Sequence, residues 1–171
     1  MPSVLELVNR PLITAVCTPL VLGMAAGLTT RTSVKTWYPT LTKPSWTPPN
    51  WVFPVAWTSL YIMMGTAAHL VAVSPAPPPR ALPLYAGQLV LNLIWTPLFF
   101  GAHLLGAATF DIAVLFGAAV ATAVEFAKAD ERAGWLMAPY CAWIAYAGSI
   151  SAYVWWNNSA GKGGKGGRKE L

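Results

Sequence analysis

Residues 81–110 read ALPLYAGQLVLNLIWTPLFFGAHLLGAATF, thirty consecutive positions without an Asp, Glu, Lys or Arg. A soluble domain carries a charge at about every fourth residue, whereas crossing a ~30 Å hydrocarbon layer takes roughly 20 apolar residues. Such a run belongs in a bilayer. Outward from it, residues 11–30, 44–79 and 133–161 are also free of charge. The whole chain of 171 residues holds 11 Lys+Arg and 6 Asp+Glu, so that 10% is charged and 56% hydrophobic. These values exclude an ordinary cytosolic enzyme and predict an all-α, polytopic membrane protein. The length leaves room for one domain, residues 1–158, and a basic, glycine-rich tail, 159–171, with none for a separate soluble catalytic module.

Prolines and short polar clusters divide the apolar runs into a bundle of five transmembrane helices. The first span is expected from about Pro11 to Leu28, with Pro11 in the first turn, where its missing N–H costs nothing. Within it Gly23 and Gly27 stand four apart, a spacing that lets helix backbones approach in lipid. Thr29 to Phe53, broken by Pro39, Pro44, Pro48 and Pro49, cannot continue as one helix and reads as a long loop of the kind that often carries function. Further spans are expected at about Pro54 to Val73, Leu84 to His103, Gly106 to Ala127 and Gly134 to Trp156. SPAPPPRALP, Ser74 to Pro83, separates the second from the third as a stiff extended connector. The third and fourth are so close in sequence that they must form a hairpin, and the polar cluster Lys128 to Arg132 ends the fourth.

The basic residues indicate orientation. The N-terminal segment, the connector and the 128–132 cluster carry Arg10, Arg80, Lys128 and Arg132; the first loop and the tail carry Arg31, Lys35, Lys43, Lys162, Lys165, Arg168 and Lys169. The heavier set predicts a cytoplasmic first loop and C-terminus. Much of the net charge of +5 lies in the tail, which suits solvent or anionic lipid headgroups. The body has no basic face for nucleic acid. Cys17 and Cys141 fall inside apolar runs and read as buried small residues rather than a disulfide framework. No basic region, short apolar core and cleavage pattern marks a signal peptide, so the first apolar run is expected to remain as a span.

Several polar and aromatic residues could carry chemistry. KPSWTPPNW, Lys43 to Trp51, sets two Trp around a double proline; this suits the headgroup level and equally a preformed roof over a cavity. With 9 Trp in 171 residues, the chain has far more than a bilayer anchor belt requires. Gln88 and Asn92 lie four apart on the third span, and Trp95 and Phe99 continue their stripe; amides in a bilayer must find partners, in another helix or in a ligand. Tyr140, Trp143, Ala147 and Ser151 form a second stripe whose small residues leave space beside large rings. Asp111 is the one charge well inside a span, expected to meet a helix end or a hydroxyl. Glu125 and Lys128, three apart, should pair. His69 and His103 have no neighbours at ligand spacing, so neither a metal nor another cofactor is expected. No GxSxG, P-loop or dinucleotide turn is present. Asn157-Asn158-Ser159 is formally a glycosylation acceptor, but it abuts the membrane.

Taken together, KPSWTPPNW, WTSLY at 57–61, GQLVLNLIWTPLFFG at 87–101, Asp111 and APYCAWIAYA at 138–147 resemble the TspO/MBR family over nearly the whole chain. The resemblance implies a five-helix bundle, usually a homodimer, that binds tetrapyrroles such as protoporphyrin and, in animal members, cholesterol and synthetic drug ligands. It implies a pocket under the first loop formed by Tyr38, Trp51, Trp57, Asn92, Trp95, Trp143 and Ala147. A role in porphyrin transport or homeostasis would follow. Light- and oxygen-dependent porphyrin degradation at Trp57 and Trp143 is an alternative, as is a structural partner role through Ala113, Gly117 and Ala121. A eukaryotic member belongs in the outer mitochondrial membrane and a bacterial one in the cell membrane. Three features depart from animal members: Ala107 stands in place of a Trp, Ile150-Ser151 in place of a Leu-Asn pair, and no basic residue follows Tyr153 before Lys162, so the animal cholesterol motif does not carry over.

Overall fold

Long apolar stretches satisfy their backbone groups within themselves, and in lipid the helix is the way to do so with one segment. The computed structural model describes residues 4–159, which form six α-helices: α1 (Val4–Thr29), α2 (Arg31–Thr36), α3 (Val52–Ala72), α4 (Ala81–Thr96), α5 (Leu105–Ala129) and α6 (Glu131–Asn158). The basic residues of the tail lie outside the described residues. Among the described residues, four helical segments are both long and apolar enough to cross a membrane: Pro11–Leu28, Val52–Ala72, Ala81–Gly101 and Leu105–Ala129. The 28-residue α6 has the length, but its small and polar residues make it less apolar. The five spans expected from the sequence are therefore not confirmed as a count: among the described residues there are six α-helices, and four helical segments are apolar enough to cross.

The helix boundaries differ from the expected ones for local reasons. Pro11 and Pro19 both lie inside α1, because losing a single N–H bond does not end a helix embedded in an apolar environment. The first loop is not wholly irregular: α2 and a 3₁₀ turn, Tyr38–Thr40, occupy its first half, before the run of prolines. At Pro97 the α4 helix widens into a π-helical turn, Pro97–Gly101, a rearrangement that recurs at functional sites. The polar cluster at 128–132 is almost entirely helical. Asp130 alone stands outside, with extended backbone, and its side chain accepts the Arg132 N–H to cap α6. The Arg132 side chain also donates to it, holding its carboxyl below the usual carboxylate range.

The five long helices pack in a ring. α1 lies against α3, α3 against α6, α6 against α5, α5 against α4, and α4 again touches α1. The alternating chain direction brings the 30–51 segment, the 102–104 turn and the end of α6 together at one end of the bundle. Met64, Val71, Leu115, Met137 and Ile144 fill the centre. Gln88, Asn92, Thr122 and Ser151 are buried with them, while Phe110 is 73% exposed on the outer surface. That inversion suits an apolar solvent. Interior hydroxyls such as Thr122 return their hydrogen bond to the carbonyl four residues back, so they need no partner elsewhere.

Small residues set how closely the helices approach. A Cβ on Gly65 would fall 2.6 Å from the carbonyl oxygen of Ala15, and one on Gly23 would overlap the Tyr61 ring. Gly27 has open space around it, so the GxxxG spacing on α1 is used at one of its two glycines, the second contact coming from α3. Cys17 is exposed and Cys141 half-buried. Both were expected to be buried, but α1 presents much of its surface outward, and exposure to lipid costs an apolar side chain nothing.

Candidate ligand-binding site

Phe53, Trp57 and Tyr61 recur every four residues and so share one face of α3. Trp57 is the centre of an aromatic layer. It stacks on Tyr61 at 5.5 Å and meets Tyr140 and Trp143 of α6 edge-on, each at 6.4 Å. Phe53 and Tyr146 extend the layer around Trp143, at 6.0 and 5.7 Å. Two buried hydrogen bonds tie this layer to α4: the Tyr61 hydroxyl donates to Asn92 Oδ1 at 2.8 Å, and the Tyr140 hydroxyl to Gln88 Oε1 at 2.6 Å. Ala147 packs against the same core with little side chain of its own.

A second aromatic group lies nearer the loop end, at the π-helical turn. Trp95 stacks on Phe99 at 5.0 Å, Phe99 meets Phe100 at 4.8 Å, and the buried Tyr38 ring lies edge-on to both phenylalanines. Burial pushes the Tyr38 phenol above its ordinary value. Trp95 packs against both groups and so connects them. Beyond Phe99 the Trp37 ring stacks on His103 at 3.8 Å. His103 has φ of 57°, the left-handed conformation that turns the chain from α4 into α5.

The first loop is clasped onto this end by bonds distant in sequence. Asn158 on α6 accepts the Thr42 N–H at 2.9 Å and donates to the Thr42 carbonyl at 3.0 Å. Tyr146 donates to the Trp46 carbonyl at 2.6 Å, and the Trp46 ring leans on Tyr153. Lys43 turns back over the Tyr38 ring and donates to the Tyr38, Pro39 and Leu41 carbonyls, fixing the 3₁₀ turn. Nothing in the sequence marks Asn158 for this role, or Tyr61 and Lys43 for theirs. Their only advance signal was that a polar group beside an apolar span needs a partner.

Of the seven expected site residues, Trp57, Trp95, Trp143 and Ala147 pack around one core, Asn92 is bonded into it through Tyr61, and Tyr38 joins through Phe99 and Trp95. Trp51 is not brought to this group: it is 69% exposed. The indole N–H groups of Trp95 and Trp143 are buried without an acceptor among the described residues, a cost of about 1–3 kcal/mol each unless something accepts from them.

Asp111 departs from expectation. It is buried, and its Oδ2 meets neither hydroxyl nor helix end among the described residues; the hydroxyls of Thr109 and Ser151 bond each other, at 3.0 Å. Lys128 and Glu125 do pair. The Asn157 amide donates to the Tyr153 carbonyl within α6. Among the described residues no three His, Cys, Asp or Glu side chains come together.

The TspO/MBR family pattern matches residues 15–156. The translocator protein of Sus scrofa is 40% identical over 139 residues, covering 75% of this chain and 79% of that protein. The tryptophan-rich sensory protein of Cereibacter sphaeroides is 43% identical over 115 residues, 67% of this chain and 72% of its own. The tryptophan-rich protein TspO of Chlorobaculum tepidum is 38% identical over 149 residues, 84% and 94%. With a match across most of its length, and with relatives similar to it on both counts, the chain belongs to the TspO/MBR family.

Proposed function

We propose that the chain is an integral membrane binding protein for flat, apolar ligands of the porphyrin class, held between α3, α4 and α6 beneath the first loop. One observation carries this reading: the Trp57 layer, with Trp143 beside it, contains large flat surfaces and a buried indole N–H that no group among the described residues satisfies. Ring faces supply the stacking area, and a small number of polar groups fix orientation. Tyr38, Asn92, Trp95 and Ala147 complete the lining, with Trp51 at the rim. The names translocator and sensory protein borne by relatives are in keeping with transport or homeostasis of such a ligand.

On this reading α6 is a fifth span. Trp135 and Trp156, 71% and 65% exposed, stand near its two ends about 30 Å apart at the helical rise, which matches the hydrocarbon thickness and places a Trp at each interface. The excess of basic residues supports a cytoplasmic loop and C-terminus, and on the same reading the protein works as a homodimer in its membrane.

Titrating the purified protein in detergent with protoporphyrin in the dark, while following tryptophan fluorescence, tests the reading. Saturable quenching is expected at micromolar ligand, weakened by Trp57→Phe and Trp143→Phe. Non-saturable quenching, or variants that titrate as the unaltered protein does, would refute it.

A further inference from the structure

Among the described residues, four buried groups able to donate a hydrogen bond have no partner: the indole N–H groups of Trp95 and Trp143, the Gln88 Nε2 amide and the Tyr85 hydroxyl. The neighbouring amide oxygens are already occupied, Gln88 Oε1 by Tyr140 and Asn92 Oδ1 by Tyr61. The acceptors left unpaired, His69 Nδ1 and Asp111 Oδ2, are bonded to none of the four. This interior is short of acceptors, not of donors.

Tyr85, Gln88, Asn92 and Trp95 follow one another at spacings of three and four along α4, so they form one column on its inner face. Counted from Asn92 away from the loop, Gln88 lies about 6 Å deeper and Tyr85 about 10 Å deeper. Gln88 is wholly buried, and the Tyr85 ring packs against Phe126 of α5 at 5.7 Å. A wholly buried amide with free N–H groups is costly in an apolar interior and is retained at little cost only where an occupant accepts from it.

We propose that Gln88 Nε2 and the Tyr85 hydroxyl form a donating floor to the proposed ligand site, which receives a carbonyl oxygen of a carboxyl or ester group at the edge of the flat ligand. The inference rests on the binding reading above and narrows its ligand class: apolar, planar, with an oxygen acceptor at one edge. A site built to donate rejects an analogue without the acceptor, because its donors stay unpaired when that analogue fills the space.

Two neutral porphyrins test this, protoporphyrin dimethyl ester, which carries edge carbonyls, and etioporphyrin, which has no oxygen. Each is titrated against the unaltered protein, Tyr85→Phe, Tyr140→Phe, and Gln88→Met combined with Tyr140→Phe so that no hydroxyl is orphaned. Detergent partitioning differs between the ligands but cancels in the ratio of variant to unaltered protein. Tyr85→Phe should weaken ester binding about fivefold and leave etioporphyrin within about twofold. The double variant should show the same selectivity relative to Tyr140→Phe alone. The ligand-free thermal midpoint of Tyr85→Phe should not fall, since the hydroxyl removed has no partner to lose; a purely structural tyrosine would lower it. If both ligands bind the unaltered protein saturably and the variants affect them equally or not at all, the floor is refuted and the binding reading stands. If neither ligand binds saturably, the binding reading fails and the floor with it.

Discussion

Asn92 shows how little of an intramembrane amide's role is visible from its own position. Its Oδ1 takes the Tyr61 proton, and Tyr61 in turn supports the Trp57 ring by stacking. Asn92→Ala should therefore destabilise the fold by about 1–3 kcal/mol, the cost of a buried hydroxyl left without an acceptor. Adding Tyr61→Phe should recover part of that loss, because removing both partners is nearly neutral where removing one is not. Thermal midpoints of the single and double variants in one detergent check this; a double variant no more stable than Asn92→Ala would contradict it. The stripes Gln88–Asn92–Trp95 and Tyr140–Trp143–Ala147 were legible in the sequence, because helical spacing alone puts their members on one face. Which stripe faces which was not, since that depends on the cyclic order of the helices. That Trp51 stands outside the aromatic layers was not legible either, because a Trp beside prolines at a membrane edge looks the same whether it rims a ligand site or meets lipid.

At the scale of elements, the first loop and α6 are coupled through Asn158, whose amide bonds both backbone groups of Thr42 while anchored to the Val154 carbonyl. Replacing it by Ala removes the two-way clasp but leaves the Tyr146 bond to Trp46 and the Tyr38 ring contacts in place. The loop should then open more often without unfolding the bundle. Hydrogen exchange at the Thr42 amide should rise about tenfold in Asn158→Ala, the loss of roughly 1.4 kcal/mol, while amides in the middle of α6 keep their protection. Unchanged exchange at Thr42 would show that the clasp contributes nothing. None of this was legible beforehand: Asn157-Asn158-Ser159 reads as a glycosylation acceptor, and a pairing across 116 positions leaves no local signal. The π-helical turn at Pro97 escaped for a similar reason, as PLFFG continues the apolar run on either side of it. Helix ends were displaced wherever polar residues join helices tightly, as at Asp130.

At the scale of the molecule, the gaps between charges were enough to indicate an all-helical membrane protein, because few other sequences can afford thirty uncharged residues in a row. They were not enough to rank the helices by polarity. α6 carries the Tyr140, Trp143, Tyr146 and Asn158 groups that build the site, and these same residues dilute its hydropathy. The outside of the bundle is lined with exposed apolar side chains and the inside with amides, hydroxyls and aromatic rings; a ligand that prefers the interior to the surrounding lipid must exploit that difference. Fluorine NMR of protein labelled with fluorotryptophan locates it most directly, since the 9 Trp divide into interior rings and membrane-facing ones, and single Trp→Phe variants assign each resonance. On adding protoporphyrin, the resonances of Trp57, Trp95 and Trp143 should shift and saturate together, with those of Trp135 and Trp156 unmoved. Shifts confined to the exposed tryptophans would place the ligand on the outer surface and contradict an interior site.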